Sequence, residues 1–215
     1  MNMHMATIAI IAANVLVSLK GFDDASFFDR YKFQIGPIKA GQKVRMFTSG
    51  FLHVDIAHLF LNMFTLYFFA DVVIHWFGAV KFLIIYGISL VGGSLLALFF
   101  HKDEPYYSAV GASGAVTGIL YAAILLQPDM QLGIMFIPIP IPAYILGIGY
   151  MIYSIYGMKT RVGNIGHTAH FGGAIGGYVT TLLFLPDLVI TDTLMVILLA
   201  IPILILFVLQ KTGKI

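Results

Sequence analysis

Seven apolar runs dominate this chain, at about residues 5–19, 58–77, 81–100, 109–126, 137–156, 166–185 and 189–209. Each approaches the roughly 20 residues that a helix needs to cross the hydrocarbon core of a bilayer. They are too long for strands. Backbone groups in lipid have no water to bond, so helices that pair them internally are the expected form. Charge is scarce as well: 10% of the residues carry it, against roughly 25% in soluble domains, too few to cover a water-facing surface. The chain thus reads as an all-α, polytopic membrane helix bundle. Its first run has neither a basic leader nor a convincing cleavage site and is read as a retained helix. The chain contains no cysteine, which excludes disulfides and cysteine catalysis. A net charge of +2 singles out no partner.

The longest polar stretch, residues 20–57, mixes charges with Phe and Tyr, as suits a loop lying at the membrane interface. Shorter connections fall at 101–107, 127–131 and 157–164. The run IPIPIP at 137–142 cannot be the interior of an ideal helix, so the fifth helix is expected to begin late or irregularly. No internal repeat or long linker is visible.

Strongly polar residues inside a membrane helix are costly and mark function by default. The second run carries His58 and Asn62, the fourth Ser113 and Thr117, the sixth His167 and His170. If every run spans, these alternate helices start on the same side of the membrane. Their polar groups then lie at similar depth, near the leaflet facing the 20–57 loop, because each sits within one to two turns of its helix start. Faces agree too. His58 and Asn62 are four apart and share a helix face, while Gly173 and Gly177 follow His170 at three and seven. Gly114 and Gly118 are four apart on the fourth helix. Such glycines let backbones approach closely, which brings Ser113 within reach of His170.

A hydroxyl beside an imidazole points to nucleophilic catalysis, since serine is weak until a base takes its proton. His58, the Asn62 amide and the Ser113 N–H are candidate oxyanion donors, helped by the positive end of the fourth helix. No carboxylate is placed to orient the base: Asp71 lies roughly two and a half turns beyond Asn62. A Ser113–His170 dyad is therefore expected rather than a triad. His167, one turn before His170, is the competing base. His53 reads equally as a loop residue or a structural hydrogen-bonder.

Three motifs now resemble those of the rhomboid intramembrane serine proteases: GASG at 111–114, AHFGGAIGG at 169–177 and HVDIAHLFLN at 53–62. The resemblance covers helices one to six and implies Ser113 as nucleophile, His170 as general base, and His58 and Asn62 as oxyanion donors. It implies a serine endopeptidase that cleaves transmembrane segments of other proteins, at small residues near helix-destabilising positions. Helix five and the 157–164 loop would form the substrate gate. It also implies a six-helix core over 1–188 followed by a seventh helix over 189–215. The pattern departs at Val44-Arg45, where many rhomboids have Trp-Arg, and at Thr117, a position often aromatic and stacked on the histidine.

The expected partners are transmembrane protein substrates and the bilayer, with no nucleic acid, metal or cofactor. Of the 12 Lys and Arg, all but Lys81 lie on the side of the 20–57 loop, which the positive-inside rule would place in the cytoplasm. The family places that loop and the active-site mouth outside, and the expectation here follows the family: a multi-pass protein of a bacterial-type cell membrane. Other chemistries fit less well. His53, His58, His167 and His170 could bind zinc, but HExxH is absent and the one glutamate, Glu104, lies in a loop. An aspartyl protease needs two facing aspartates in helices. A proteolytically inactive rhomboid-like protein that binds membrane clients is the second reading, and a transporter the third.

Overall fold

The computed structural model describes residues 3–134, 137–160 and 166–215. Its helices are α1 (Met5–Asp23), α2 (Ala25–Tyr31), α3 (Ile35–Lys39), α4 (Arg45–Thr48), α5 (Ile56–Phe100), α6 (Ser113–Leu126), α7 (Ala143–Thr160), α8 (His167–Phe184), α9 (Leu188–Thr191) and α10 (Thr193–Lys211). Two small antiparallel ribbons complete it. β1 (Phe33–Gln34) pairs with β2 (Ser108–Ala109), Phe33 opposite Ala109. β3 (Gln131–Ile134) pairs with β4 (Ile137–Pro142), Leu132 opposite Ile141.

The chain is an all-α bundle, with three refinements of the expected runs. The second and third runs form one element, α5, broken only at Gly78 (φ 75°, ψ 169°). This positive φ is open to glycine at little cost, so a single residue makes the break between the two runs. The fourth helix begins at Ser113 rather than at 109. Residues 108–109 are extended against β1, and Gly111 (φ 129°) leaves the helical region before the serine. The fifth helix begins late, at Ala143, after 137–142 are used as β4.

α1, α5 and α10 are each long and apolar enough to cross a membrane. α6 has 14 residues, about 21 Å at 1.5 Å per residue, against roughly 30 Å of hydrocarbon. With one end at a membrane surface, its other end stops inside the membrane. Irregular backbone at that depth is tolerated only where protein or water surrounds it. The segment before Ser113 satisfies this condition through protein: Gly111 N–H donates to Ser49 O at 3.0 Å.

Lipid supplies no hydrophobic drive between helices, so association rests on close packing at small residues. α8 packs against both α6 and the 79–100 limb of α5, which also touch each other at Gly118 and Ser89. A methyl added at Gly93 would stand 2.7 Å from the Ala169 carbonyl oxygen, and one at Gly114 would stand 3.0 Å from it. At Gly173 it would overlap Gly114 O, and at Gly177 Gly118 O. The apolar core around these contacts includes Leu66, Phe82, Tyr121 and Phe171, and α10 joins it through Leu199 and Leu206. The 20–57 segment is folded rather than open, holding α2, α3 and α4. Arg45, buried, ties it together by donating to Gln42 Oε1 (2.7 Å), Asp29 O (2.7 Å) and Lys32 O (3.0 Å).

Candidate active site

Ser113 is the first residue of α6 and His170 sits in the first turn of α8. The backbone contact of Gly173 with Gly114 O holds these two helix starts together. Ser113 Oγ lies 2.8 Å from His170 Nε2, and His170 is 3% exposed. Its Nδ1 lies 2.7 Å from the Tyr150 hydroxyl of α7, with the rings 5.3 Å apart and tilted by 34°. If Nε2 accepts from the serine, the ring hydrogen is on Nδ1 and donates to Tyr150 Oη. No carboxylate completes a triad with His170 among the described residues.

Tyr150 was invisible to sequence reasoning, because a tyrosine in an apolar helix reads as lipid contact or core. The available signal was Thr117, where the aromatic neighbour of the base is missing. Thr117 turns its Oγ1 to Ser113 O at 2.7 Å, and the aromatic contact on His170 comes from α7 instead.

His58 stands beside the serine. Asp55 caps the helix by accepting His58 N–H at 2.7 Å, which seats His58 in the first turn of α5. A methyl at Gly111 would meet His58 Cε1 at 2.7 Å and Nε2 at 2.9 Å, with Ser113 Oγ 3.7 Å from the same point. Asn62 is buried one turn along, and its Nδ2 donates to His58 O at 3.0 Å. Among the described residues its amide donates to no other group, so its link to the serine runs through the His58 turn. The first N–H of α6 bonded along the helix axis is that of Val116, to Ala112 O at 2.9 Å. The N–H groups of Ser113, Gly114 and Ala115 are thus left at the open, positive end of the helix. A cavity of about 30 Å³ adjoins them, lined by Ser49, Ser94, Gly111 and Ala169, room on the scale of a water molecule.

The two undecided histidines take different places. His53, fully buried, donates from Nδ1 to Ser18 Oγ at 2.8 Å. Ser18 in turn donates to Phe51 O at 3.0 Å. That leaves His53 Nε2 as an acceptor for Ala112 N–H at 3.4 Å. Burial holds the imidazole in its neutral form, down at about 3, with His58 adding to the effect and Asp55 opposing it. His53 is therefore a structural hydrogen-bonder that braces the backbone next to the serine. His167 packs its ring against Tyr153 (5.7 Å) and Gly157. Its ring centre is 6.1 Å from that of His170, and the imidazole that meets the serine hydroxyl is that of His170. Among the described residues, no group of three His, Cys, Asp or Glu is placed to hold a metal ion. The expected gate loop, 157–164, lies partly outside the described residues.

The chain is similar to known proteins over much of its length. The Rhomboid domain family model matches residues 40–187. The chain is 31% identical over 182 residues to RHOMBOID-like protein 12, mitochondrial, of Arabidopsis thaliana, covering 78% of this chain and 54% of that protein. It is 34% identical over 143 residues to Rhomboid protease GluP of Bacillus subtilis, covering 66% of this chain and 26% of that one. It is 29% identical over 138 residues to Rhomboid protein 1, mitochondrial, of Saccharomyces cerevisiae, covering 63% and 40%. The chain thus spans about half the length, or less, of these relatives. Two of the three carry mitochondrial names, so the expectation of a bacterial-type cell membrane finds no support in them.

Proposed function

Because the chain belongs to the rhomboid family, we propose that it is an intramembrane serine endopeptidase working by a Ser113–His170 dyad on transmembrane segments of other proteins. The observation that carries this reading is the 2.8 Å contact between Ser113 Oγ and His170 Nε2. Ser113 Oγ attacks the scissile carbonyl carbon while His170 Nε2 takes its proton. The oxyanion so formed faces the free N–H groups at the start of α6 and the His58 imidazole, with Asn62 holding the His58 turn. His170 then returns the proton to the leaving amine, and water hydrolyses the acyl-enzyme by the same route in reverse. The shortness of α6 supports a site below the membrane surface that water reaches from the face of the 20–57 segment. Residues 1–188 form the catalytic unit and 189–215 an appended helix.

The test is cleavage of a transmembrane model substrate by purified protein in detergent, with chelator present throughout. A serine-directed fluorophosphonate is applied in parallel to wild type, Ser113→Ala, His170→Ala and His167→Ala. Cleavage and labelling are expected in wild type and in His167→Ala, and neither in the other two. Labelling lost in His167→Ala but kept in His170→Ala would move the base by one turn. A folded wild type that neither cleaves nor labels would overturn the protease reading in favour of client binding.

A further inference from the structure

α6 and α8 are spaced by backbone: Gly173 rests on Gly114 O and Gly177 on Gly118 O. α7 is spaced differently. A methyl at its Gly147 would meet the Ile124 side chain (2.8 Å), and one at Gly157 the imidazole of His167. Between these two points α7 offers two tyrosines three residues apart to two histidines three residues apart. Tyr150 meets His170 at 5.3 Å between ring centres and Tyr153 meets His167 at 5.7 Å. The pairs are rungs of an antiparallel ladder, and in the first of them Tyr150 Oη lies 2.7 Å from His170 Nδ1. Side-chain spacing yields more readily than backbone contact, so α7 is the wall of the site that can shift while α6 and α8 stay in register.

We propose that Tyr150 is the positioning residue of the dyad: it fixes the tautomer and plane of His170, and so makes the competence of the base depend on how α7 is seated. The proposal rests on the protease reading. With α7 seated, Tyr150 Oη accepts the Nδ1 hydrogen, and Nε2 is left with its lone pair toward Ser113. With α7 displaced, that acceptor is lost, and the ring is free to put its hydrogen on either nitrogen. α7 presents Ile145, Ile152 and Tyr156 outward, so a transmembrane segment leaning on that face acts on the base through Tyr150 without touching it.

Tyr150→Phe keeps the ring and removes the acceptor. Loss of one such hydrogen bond should lower kcat and the rate of fluorophosphonate labelling by about three- to tenfold, with KM unchanged. The Nδ1–H resonance of His170 should shift in ¹⁵N-labelled protein. Gly157→Val pushes α7 off His167 two turns away, with Gly157→Ala as the milder variant if that chain does not fold. Its loss of rate should be largely absent in the Tyr150→Phe background, since interacting sites are non-additive. Wild-type rates in Tyr150→Phe, or fully additive losses in the double variant, would overturn the proposal. An inactive, unlabelled wild type would overturn the protease reading itself, and the Nδ1–H resonance would still report whether the Tyr150 bond exists.

Discussion

Gly173 of α8 lies against the carbonyl oxygen of Gly114 of α6, so the turns that carry His170 and Ser113 meet backbone to backbone. Any side chain at position 173 must separate them. Gly173→Val should abolish cleavage and lower Tm, since overpacking of this kind costs about 1–3 kcal/mol or more. The smaller Gly173→Ala should leave a folded protein with slowed Ser113 labelling. Thermal unfolding in detergent alongside labelling separates the two effects. Unchanged labelling in Gly173→Val would show that the contact does not set the spacing of the dyad.

Gly111 combines a φ of 129° with an imidazole against its α-carbon. Gly111→Ala meets both obstacles, a backbone strain of about 1–3 kcal/mol and a clash with His58. Activity should fall more than stability, because the displaced group is a proposed oxyanion donor. Comparing kcat with Tm checks this, and equal activity with equal Tm would remove His58 from the neighbourhood of the serine.

His53 makes stability depend on pH. Folding holds its imidazole at about 3 against an ordinary 6.5, through burial first, with His58 adding and Asp55 opposing. The unfolded chain takes up a proton that the folded chain refuses. Stability is therefore fully present above 6.5 and is lost as pH falls from 6.5 toward 3. Tm in detergent should decline over that window and flatten in His53→Gln. An identical decline in the variant would assign the acid sensitivity elsewhere.

Orientation can be read directly, because the chain has no cysteine of its own. Lys43→Cys places a single thiol on an exposed position of the 20–57 segment. If the active-site mouth opens to the outside, an impermeant maleimide should label it in intact cells or organelles without permeabilisation. Labelling only after permeabilisation would favour the orientation that the distribution of Lys and Arg suggests.

Much of the candidate site was legible because the background is so apolar. His58, Asn62, Ser113 and His170 stand out in runs that otherwise carry little polarity, and helical spacing puts their glycines on common faces. Tyr150 did not stand out, since a tyrosine in a membrane helix serves lipid, core or site equally well. The two readings of His53 stayed open because its partners, Ser18 and Ala112, are 35 and 59 residues away. The start of α6 was misplaced because the pairing of Ser108–Ala109 with Phe33–Gln34 joins parts of the chain that no local pattern links.

By itself the sequence determined that the chain is a membrane helix bundle, that polar chemistry gathers toward one leaflet, and that a serine and a histidine share a depth. Those follow from one-dimensional quantities: run length, the 1.5 Å rise and the 3.6-residue period. Tertiary structure alone decided what holds the other nitrogen of His170, and how close α6 and α8 come. These depend on the separation and rotation of neighbouring helices. Contacts such as Gly173 with Gly114 O and Tyr150 with His170 set both, and neither is encoded in the period of any single helix.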